Sequence, residues 1–250
     1  MLLTRALPTS FDLLDLQRLA RQRYPMLLES TAHGTAQGRW DLLLVAGDEA
    51  LRLDADGVTR DAAGRAQPGG FLDALDAAWR RERAARDEPR WPFRGGWALF
   101  LAYELARQVE PVLQLPSAPG ALPVALAVRC PAAVLRDHAT GECVAVAEPG
   151  AAALLDRIAA DVARLAELPP LPAWRPPVGL DEDDPVRYTD GVARVLDYLA
   201  AGDVFQVNLS RAWRAEFDVA PDPADVYARL REANPAPFAG LLRFGDAALL

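Results

Sequence analysis

The chain has 250 residues and a formal net charge of −8, with 35 acidic residues against 27 basic ones, all of them arginine. This length accommodates one large domain or two small ones. The negative charge argues against nucleic acid or an anionic membrane surface as a partner, because both bind basic patches. The absence of lysine excludes a lysine nucleophile or general base from these residues, because arginine stays protonated at neutral pH.

The lengths of the apolar runs and the number of cysteines indicate the cellular compartment. No window reaches about 18 uninterrupted apolar residues, so we expect no membrane-spanning helix. The N-terminus lacks the apolar run and the cleavage site of a signal peptide. Cys130 and Cys143 are too few for a disulfide framework and lack metal-ligand spacing. We therefore expect a cytoplasmic protein with reduced cysteines.

The first part of the chain predicts two helices and three strands. Apolar residues at helical spacing predict helices over residues 12–23 and 70–86. Short apolar runs bounded by turn residues predict strands over 26–30, 40–46 and 50–53.

The middle of the chain indicates the fold class. An apolar segment over residues 92–105 contains the glycine pair Gly95-Gly96 near its start, but it lacks the G-x-G-x-x-G spacing and the Walker lysine of nucleotide-binding loops. The stretches 123–135 and 142–147 predict a hairpin across the turn at His138, and 151–168 predicts a helix. Hairpins favour antiparallel pairing. We therefore expect an α+β fold with mixed, mostly antiparallel sheets and flanking helices.

A proline-rich, acidic stretch divides the chain. Residues 169–185 contain six prolines and an Asp-Glu-Asp-Asp run, which is typical of an extended linker or surface loop. We expect an N-terminal lobe over 1–168 and the start of a second lobe over 186–250.

The most informative segment is Gly202–Arg211, which follows an amphipathic helix. Gly202 can end that helix in the left-handed conformation, and the residues after it predict a strand. Period-two alternation then places apolar and polar side chains on opposite faces. The polar face contains Gln206, Asn208 and Ser210, and it suits a polar ligand. The alternative is an edge strand whose polar face meets solvent.

This segment, the later turn Asn234–Phe238 and the earlier block Pro92–Glu110 resemble the chorismate-utilising enzymes in order and in residue type. The resemblance implies chorismate as the substrate. Members that add water to chorismate carry lysine at the position of Gln206, whereas members that add ammonia carry glutamine. Ammonia already has a lone pair and needs positioning more than a general base. Gln206 is therefore the predicted catalytic position, on the ammonia side, provided that it faces a cavity.

Within the family, Asn208 is more similar to the enzymes that make aminodeoxychorismate on the route to 4-aminobenzoate and folate. The alternative, formation of anthranilate on the route to tryptophan, stays open. In the family, the segments that bind magnesium and the chorismate carboxylate follow the position of Leu250. The resemblance thus implies the front half of an enzyme that uses Mg²⁺, with no metal ligands in these residues and no activity alone.

The resemblance also implies two further partners. One is a glutamine amidotransferase subunit that supplies ammonia and meets surfaces near Pro92–Glu110. The other is L-tryptophan, held as an inhibitor or as a structural ligand. Alternatives are that the tryptophan-pocket residues only pack the sheet, or that the chain is a non-catalytic fragment that binds tryptophan or the amidotransferase. The residues implied for the tryptophan pocket are Ser30, Gln37, Gly38, Arg39, Trp40, Pro237, Phe238 and Ala239.

Overall fold

The computed structural model describes residues 1–32, 38–83, 90–117 and 120–250. They form two units. The first contains Met1–Pro170 and Val226–Leu250, and the second contains Leu171–Asp225. This division differs from a second lobe that continues to residue 250, because the last strands of the chain pair within the first unit.

The chain forms thirteen strands and six α-helices in the described ranges. The strands are β1 (Leu3–Ala6), β2 (Met26–Glu29), β3 (Trp40–Val45), β4 (Ala50–Leu53), β5 (Thr59–Asp61), β6 (Gly96–Leu101), β7 (Ala125–Cys130), β8 (Ala132–Asp137), β9 (Cys143–Ala147), β10 (Gly179–Glu182), β11 (Trp213–Glu216), β12 (Ala239–Phe244) and β13 (Ala247–Leu249). The helices are α1 (Leu13–Leu19), α2 (Phe71–Glu82), α3 (Ala106–Val109), α4 (Ala153–Arg164), α5 (Pro185–Ala201) and α6 (Pro223–Ala233).

Two sheets build the first unit. The larger has seven strands in the order β1-β9-β8-β3-β2-β12-β13, and the smaller has four in the order β5-β4-β7-β6. A two-stranded sheet, β10-β11, lies in the second unit. Every strand pair in the described residues is antiparallel. The predicted α+β class is confirmed.

The seven-stranded sheet is apolar on both faces, as expected for a central layer. On one face, strand alternation brings a row of fully buried side chains into register across five strands, and α1 and α4 contact strands of this sheet. This row is Leu241, Leu27, Leu43, Val134 and Ala145. On the other face, Leu44, Leu135 and Val146 form a core with Ala98 and Leu126 of the smaller sheet.

The predicted strand over residues 123–135 is wrong as a single element. It is two strands, β7 in the smaller sheet and β8 in the larger one, separated at Pro131. Proline has no N–H to donate to a ladder, so a strand can end there. The predicted hairpin across His138 is confirmed as β8–β9.

The three helices predicted over residues 12–23, 70–86 and 151–168 occur in the expected places but are shorter. The first is α1, which Asp12 caps by accepting a hydrogen bond from the Leu14 N–H at 2.9 Å, and it ends at Leu19 rather than at Arg23. Helix α2 ends at Glu82, and residue 86 lies outside the described residues. Helix α4 covers the central part of the predicted 151–168, with a 3₁₀ turn on either side.

The predicted strand after Gly202 is wrong. Gly202 does end α5 in the left-handed conformation, with φ of +79°. Residues 204–212, however, have no regular structure, and strand β11 begins only at Trp213. A strand requires a hydrogen-bonded neighbour, and no other described strand pairs with residues 204–212.

The block that begins with Pro92 is organised around Arg129, whose side chain is only 12% exposed. Arg129 donates to the Gly96 carbonyl at 3.0 Å, to both Glu148 oxygens at 2.6 Å, and to Glu82. This arginine therefore joins the start of β6 to the end of α2 and to the segment before α4. Gly95, which has no Cβ, allows the Glu148 carboxylate to approach the backbone closely.

Burial makes both cysteines poor nucleophiles. It raises the pKa of Cys130 to about 11 and also raises the pKa of Cys143. The thiolate is the reactive form, so we expect neither thiol of the folded chain to react with Ellman's reagent within minutes at about pH 8. In denaturant, both should react. A rapidly labelled thiol in the folded chain would contradict the burial of these two residues.

Candidate functional site

The end of strand β2 meets the turn that follows α6. The Ser30 hydroxyl donates to the Pro237 carbonyl at 3.1 Å, and the Thr31 hydroxyl donates to the Ala236 carbonyl at 3.0 Å. The Thr31 hydroxyl in turn accepts from the Ala236 N–H at 2.8 Å. Two segments some 200 residues apart in sequence are thereby joined. We call residues 30–31 and 236–237 the turn junction.

Two other residues implied for the tryptophan pocket, Arg39 and Trp40, contact other side chains of the chain. Arg39 donates two hydrogen bonds to Asp137, at 2.8 and 3.0 Å, and its guanidinium lies 4.8 Å from the centre of the Trp40 ring. The Trp40 ring meets Trp91 edge to face at 6.0 Å. Trp40 thus has a packing role, and Arg39 is committed to an internal carboxylate.

The remaining pocket residues divide between the two sides of the junction. Gly38 is buried, and Ala239 pairs with Glu29 in the sheet. The Phe238 side chain is 81% exposed, so within this chain it does not form a closed wall. Gln37 lies outside the described residues. The junction thus brings Ser30 and Pro237 together, and the tryptophan pocket stays a prediction.

A polar row runs across the sheet next to this junction. Each of its members is two residues from a member of the apolar row on the same strand, so the two rows share a face. Glu29 follows Leu27, Asp41 precedes Leu43, and Arg136 follows Val134. The row forms part of a cavity of about 570 Å³, whose lining also includes Phe11, Asp12, His138 and Arg231.

Two acidic side chains of the cavity have direct partners. Asp41, which is 4% exposed, accepts from the Ser30 N–H at 3.0 Å and lies 2.7 Å from the His138 Nε2. Glu29, 8% exposed, accepts from the Tyr227 hydroxyl at 2.8 Å and from Arg231 at 3.1 Å. Buried carboxylates need such partners, because an unpaired one is costly.

Arg231 connects three elements. Its guanidinium pairs with both oxygens of Asp12 at the start of α1 and with both oxygens of Glu29 at the end of β2. We call Asp12, Glu29, Tyr227 and Arg231 the α6 clamp. Sequence reasoning missed these residues, although one signal was available. Glu29 is two residues after Leu27 in a buried strand, so both side chains point to the same buried face. A carboxylate in that position requires a cationic or hydroxyl partner.

The pKa values of the two acidic residues of the clamp are shifted in opposite directions. Burial raises the pKa of Glu29, and Arg231 and Tyr227 only partly oppose this. Burial also disfavours the Asp12 carboxylate, but the hydrogen bond and charge of Arg231, together with the Leu14 N–H, lower its pKa. Despite burial, the two carboxylates raise the pKa of Arg231. The clamp therefore keeps its guanidinium charged at neutral pH.

We expect Glu29→Gln to change how stability depends on pH. The unfolded-state pKa of Glu29 is 4.5, and its folded-state pKa is higher. As pH rises through the range between these two values, ionisation of Glu29 lowers the free energy of unfolding of the chain. Glutamine lacks this ionisation. The native chain should therefore lose stability relative to the variant across this window, as measured by urea unfolding between about pH 4 and pH 8. A stability difference that is the same at every pH would contradict the raised pKa.

Gln206 lies in the irregular segment after α5. It is exposed, it donates to the Asn208 side chain at 3.3 Å, and it is not among the residues that line the described cavity. The shared face of Gln206 and Asn208 agrees with an extended backbone. A catalytic role requires Gln206 to face a cavity, and Gln206 does not line the cavity beside the turn junction. The catalytic role therefore stays a prediction.

The described residues do not fit a magnesium site. Within residues 1–32, 38–83, 90–117 and 120–250, no group of three His, Cys, Asp or Glu side chains is arranged to hold a metal ion. Among the same residues, no helix combines the length and the apolar content needed to cross a bilayer.

Comparison with known proteins identifies a common family. The family model for chorismate binding enzymes matches residues 26–250. Anthranilate synthase component 1 of Pseudomonas aeruginosa is 30% identical over 257 residues, covering 92% of this chain and 50% of that protein. Aminodeoxychorismate synthase component 1 of Streptomyces lividans is 41% identical over 63 residues, covering 25% of this chain and 13% of that protein.

A solved structure has the same fold. Anthranilate synthase component I from Streptococcus pneumoniae superposes with a TM-score of 0.66 at 20% identity, covering 86% of this chain and 50% of that one. The chain spans about half the length of the curated relatives that it matches over most of its own length.

Proposed function

Because this chain belongs to the family of chorismate binding enzymes, we propose that it forms part of a component I enzyme that aminates chorismate. The observation that supports this most strongly is the family match over residues 26–250. In the proposed reaction, ammonia comes from a glutamine amidotransferase subunit, and Mg²⁺ is bound by residues other than those described here. The Gln206 amide orients ammonia by hydrogen bonding, which a neutral nucleophile needs more than it needs a base.

We propose aminodeoxychorismate as the product, on the route to 4-aminobenzoate. The supporting feature is the run Gln206-Val207-Asn208-Leu209-Ser210. A second candidate is anthranilate, and the coverage of 92% of this chain by an anthranilate synthase component 1 favours it.

Disruption of the gene in its host separates these products. If aminodeoxychorismate is the product, the disrupted strain should need 4-aminobenzoate and grow without tryptophan. A strain that needs tryptophan instead would overturn that assignment in favour of anthranilate. A strain with neither requirement, after relatives of the gene are also disrupted, would contradict the amination of chorismate.

We expect the 250-residue chain to show no turnover of chorismate with ammonium and magnesium. It has no lysine, and its described residues contain no three-membered carboxylate, histidine or cysteine group arranged for a metal ion. The matched control is a complete component I relative assayed under the same conditions. Formation of anthranilate or aminodeoxychorismate by the 250-residue chain would contradict this expectation.

We also propose that L-tryptophan binds at the turn junction. A pocket for it needs polar groups for the ammonium and carboxylate and an aromatic or apolar wall for the indole. Ser30 and Trp40 supply such groups from one side, and Pro237 from the other. Calorimetry tests this with L-tryptophan and, as a control ligand, D-tryptophan. A folded chain that gives no heat specific to L-tryptophan would refute the pocket.

A further inference from the structure

The turn junction is held from two sides by different chemistry. On one side, the hydroxyls of Ser30 and Thr31 bind the turn directly. On the other side, Arg231 and Tyr227 of α6 bind Glu29, the residue just before Ser30. The same short end of β2 is therefore the anchor both for the turn and for the helix that leads into it.

The spacing along α6 couples these two anchors. Arg231 lies two residues before the end of α6 at Ala233, and the turn begins at the next residue. Arg231 is therefore only five residues before Ala236, the first residue of the turn in the junction. After the turn, β12 pairs directly with β2 from Ala239 onward. The turn is thus fixed at its far end by the sheet and at its near end by the α6 clamp.

A guanidinium suits this role better than an ammonium does. Arg231 reaches two carboxylates at once, Asp12 through both Nη1 and Nη2 and Glu29 through Nη1. A planar fork with several fixed donors can do this, whereas a lysine ammonium is a single point charge. Only 18% of the Arg231 side chain is exposed, so water competes weakly for these bonds.

We propose that Arg231 is a positioning residue, which holds the end of α6 against β2 and thereby sets the distance between Pro237 and Ser30. The effect of Arg231 on ligand affinity rests on the proposed tryptophan pocket. Arg231 does not touch that ligand. It acts through the turn, and its loss lets residues 234–238 move away from Ser30 while the sheet stays intact.

The test uses the whole chain with variants of graded effect. Arg231→Met removes the clamp, and Arg231→Lys keeps the charge without the fork. Asp12→Asn keeps an acceptor for the Leu14 N–H and removes one charged partner of Arg231. The matched control is Arg23→Met, which removes a partner of the buried Asp161 elsewhere in the first unit. If Arg231→Met fails to fold, Arg231→Lys and Asp12→Asn supply the comparison.

Amide hydrogen exchange is the first readout, because it needs no ligand. The N–H groups of Thr31, Ala32 and Ala236 bond across the junction. We expect them to exchange about tenfold faster in Arg231→Met than in Arg23→Met, with Arg231→Lys between, because tenfold corresponds to one weakened interaction of ordinary strength. Exchange that is unchanged at these amides, or equally fast in the control, would overturn the positioning role.

Tryptophan affinity is the second readout. If the native chain binds L-tryptophan, we expect the dissociation constant to rise about tenfold in Arg231→Met and less than about twofold in Arg23→Met. Equal affinities in the native chain and Arg231→Met would overturn the proposal. If the native chain does not bind L-tryptophan, the proposed pocket is refuted, and the exchange rates alone decide the role of Arg231.

Discussion

Replacement of Gly95 with alanine is expected to destabilise the first unit by about 3 kcal/mol. Gly95 has φ of +102°, where a side chain strains the backbone. A Cβ atom there would also lie 1.8 Å from the Glu148 Oε1. The Glu148 carboxylate could turn away, but it would then leave Arg129, whose guanidinium is largely buried. Backbone strain and a broken ion pair therefore add. Urea unfolding measures the sum.

The two contributions are separable by experiment. Gly64 has φ of +78°, and a Cβ atom added there would meet no other atom within 4 Å, so Gly64→Ala reports backbone strain alone. That strain should cost about 1 kcal/mol. In a Glu148→Ala background, Gly95→Ala should also cost only about 1 to 2 kcal/mol. Equal costs for Gly95→Ala with and without Glu148 would show that the carboxylate has no part in the effect.

Local pattern was sufficient for two neighbouring strands of the large sheet. The predicted stretches 26–30 and 40–46 match β2 and β3 to within a residue, because each is a short apolar run bounded by turn residues. Local pattern gave the wrong result where the pairing of strands determines the structure. Residues 123–135 are mostly apolar and were predicted as one strand, yet Pro131 divides them between two sheets. The Gln206 and Asn208 side chains contact each other, but alternation alone does not provide the neighbouring strand that a strand over these residues would need.

The candidate site was predicted in part, for a similar reason. The contact between Ser30 and Pro237 followed from a family resemblance and not from any periodicity of the chain. The clamp was missed because Arg231 and Glu29 are 202 residues apart, and a single charge on a helix looks like any solvated residue. Periodicity reports which face a residue takes. It does not report which distant element covers that face, and the partners of buried charges depend on that.

Replacement of Asp161 with alanine is expected to cost about 3 to 5 kcal/mol, the usual effect of breaking a buried ion pair by removing one partner. Asp161 is 3% exposed on α4, where it accepts from the Tyr24 hydroxyl at 2.8 Å and from the Arg23 guanidinium. Tyr24 is fully buried, so its hydroxyl would be left without this partner in a site that water does not reach. The loss should appear as a lower urea midpoint with an unchanged m-value.

The same helix supplies a control for this prediction. Asp156 pairs with Arg5 at 2.8 Å, but its side chain is 79% exposed, so the pair is screened by water and salt. Asp156→Ala should therefore change stability by at most about 0.5 kcal/mol. Both variants place alanine in α4 and remove one carboxylate, so helix propensity and net charge change alike. Burial is then the main remaining difference, and similar costs for the two variants would mean that Asp161 does not anchor α4 to the segment before β2.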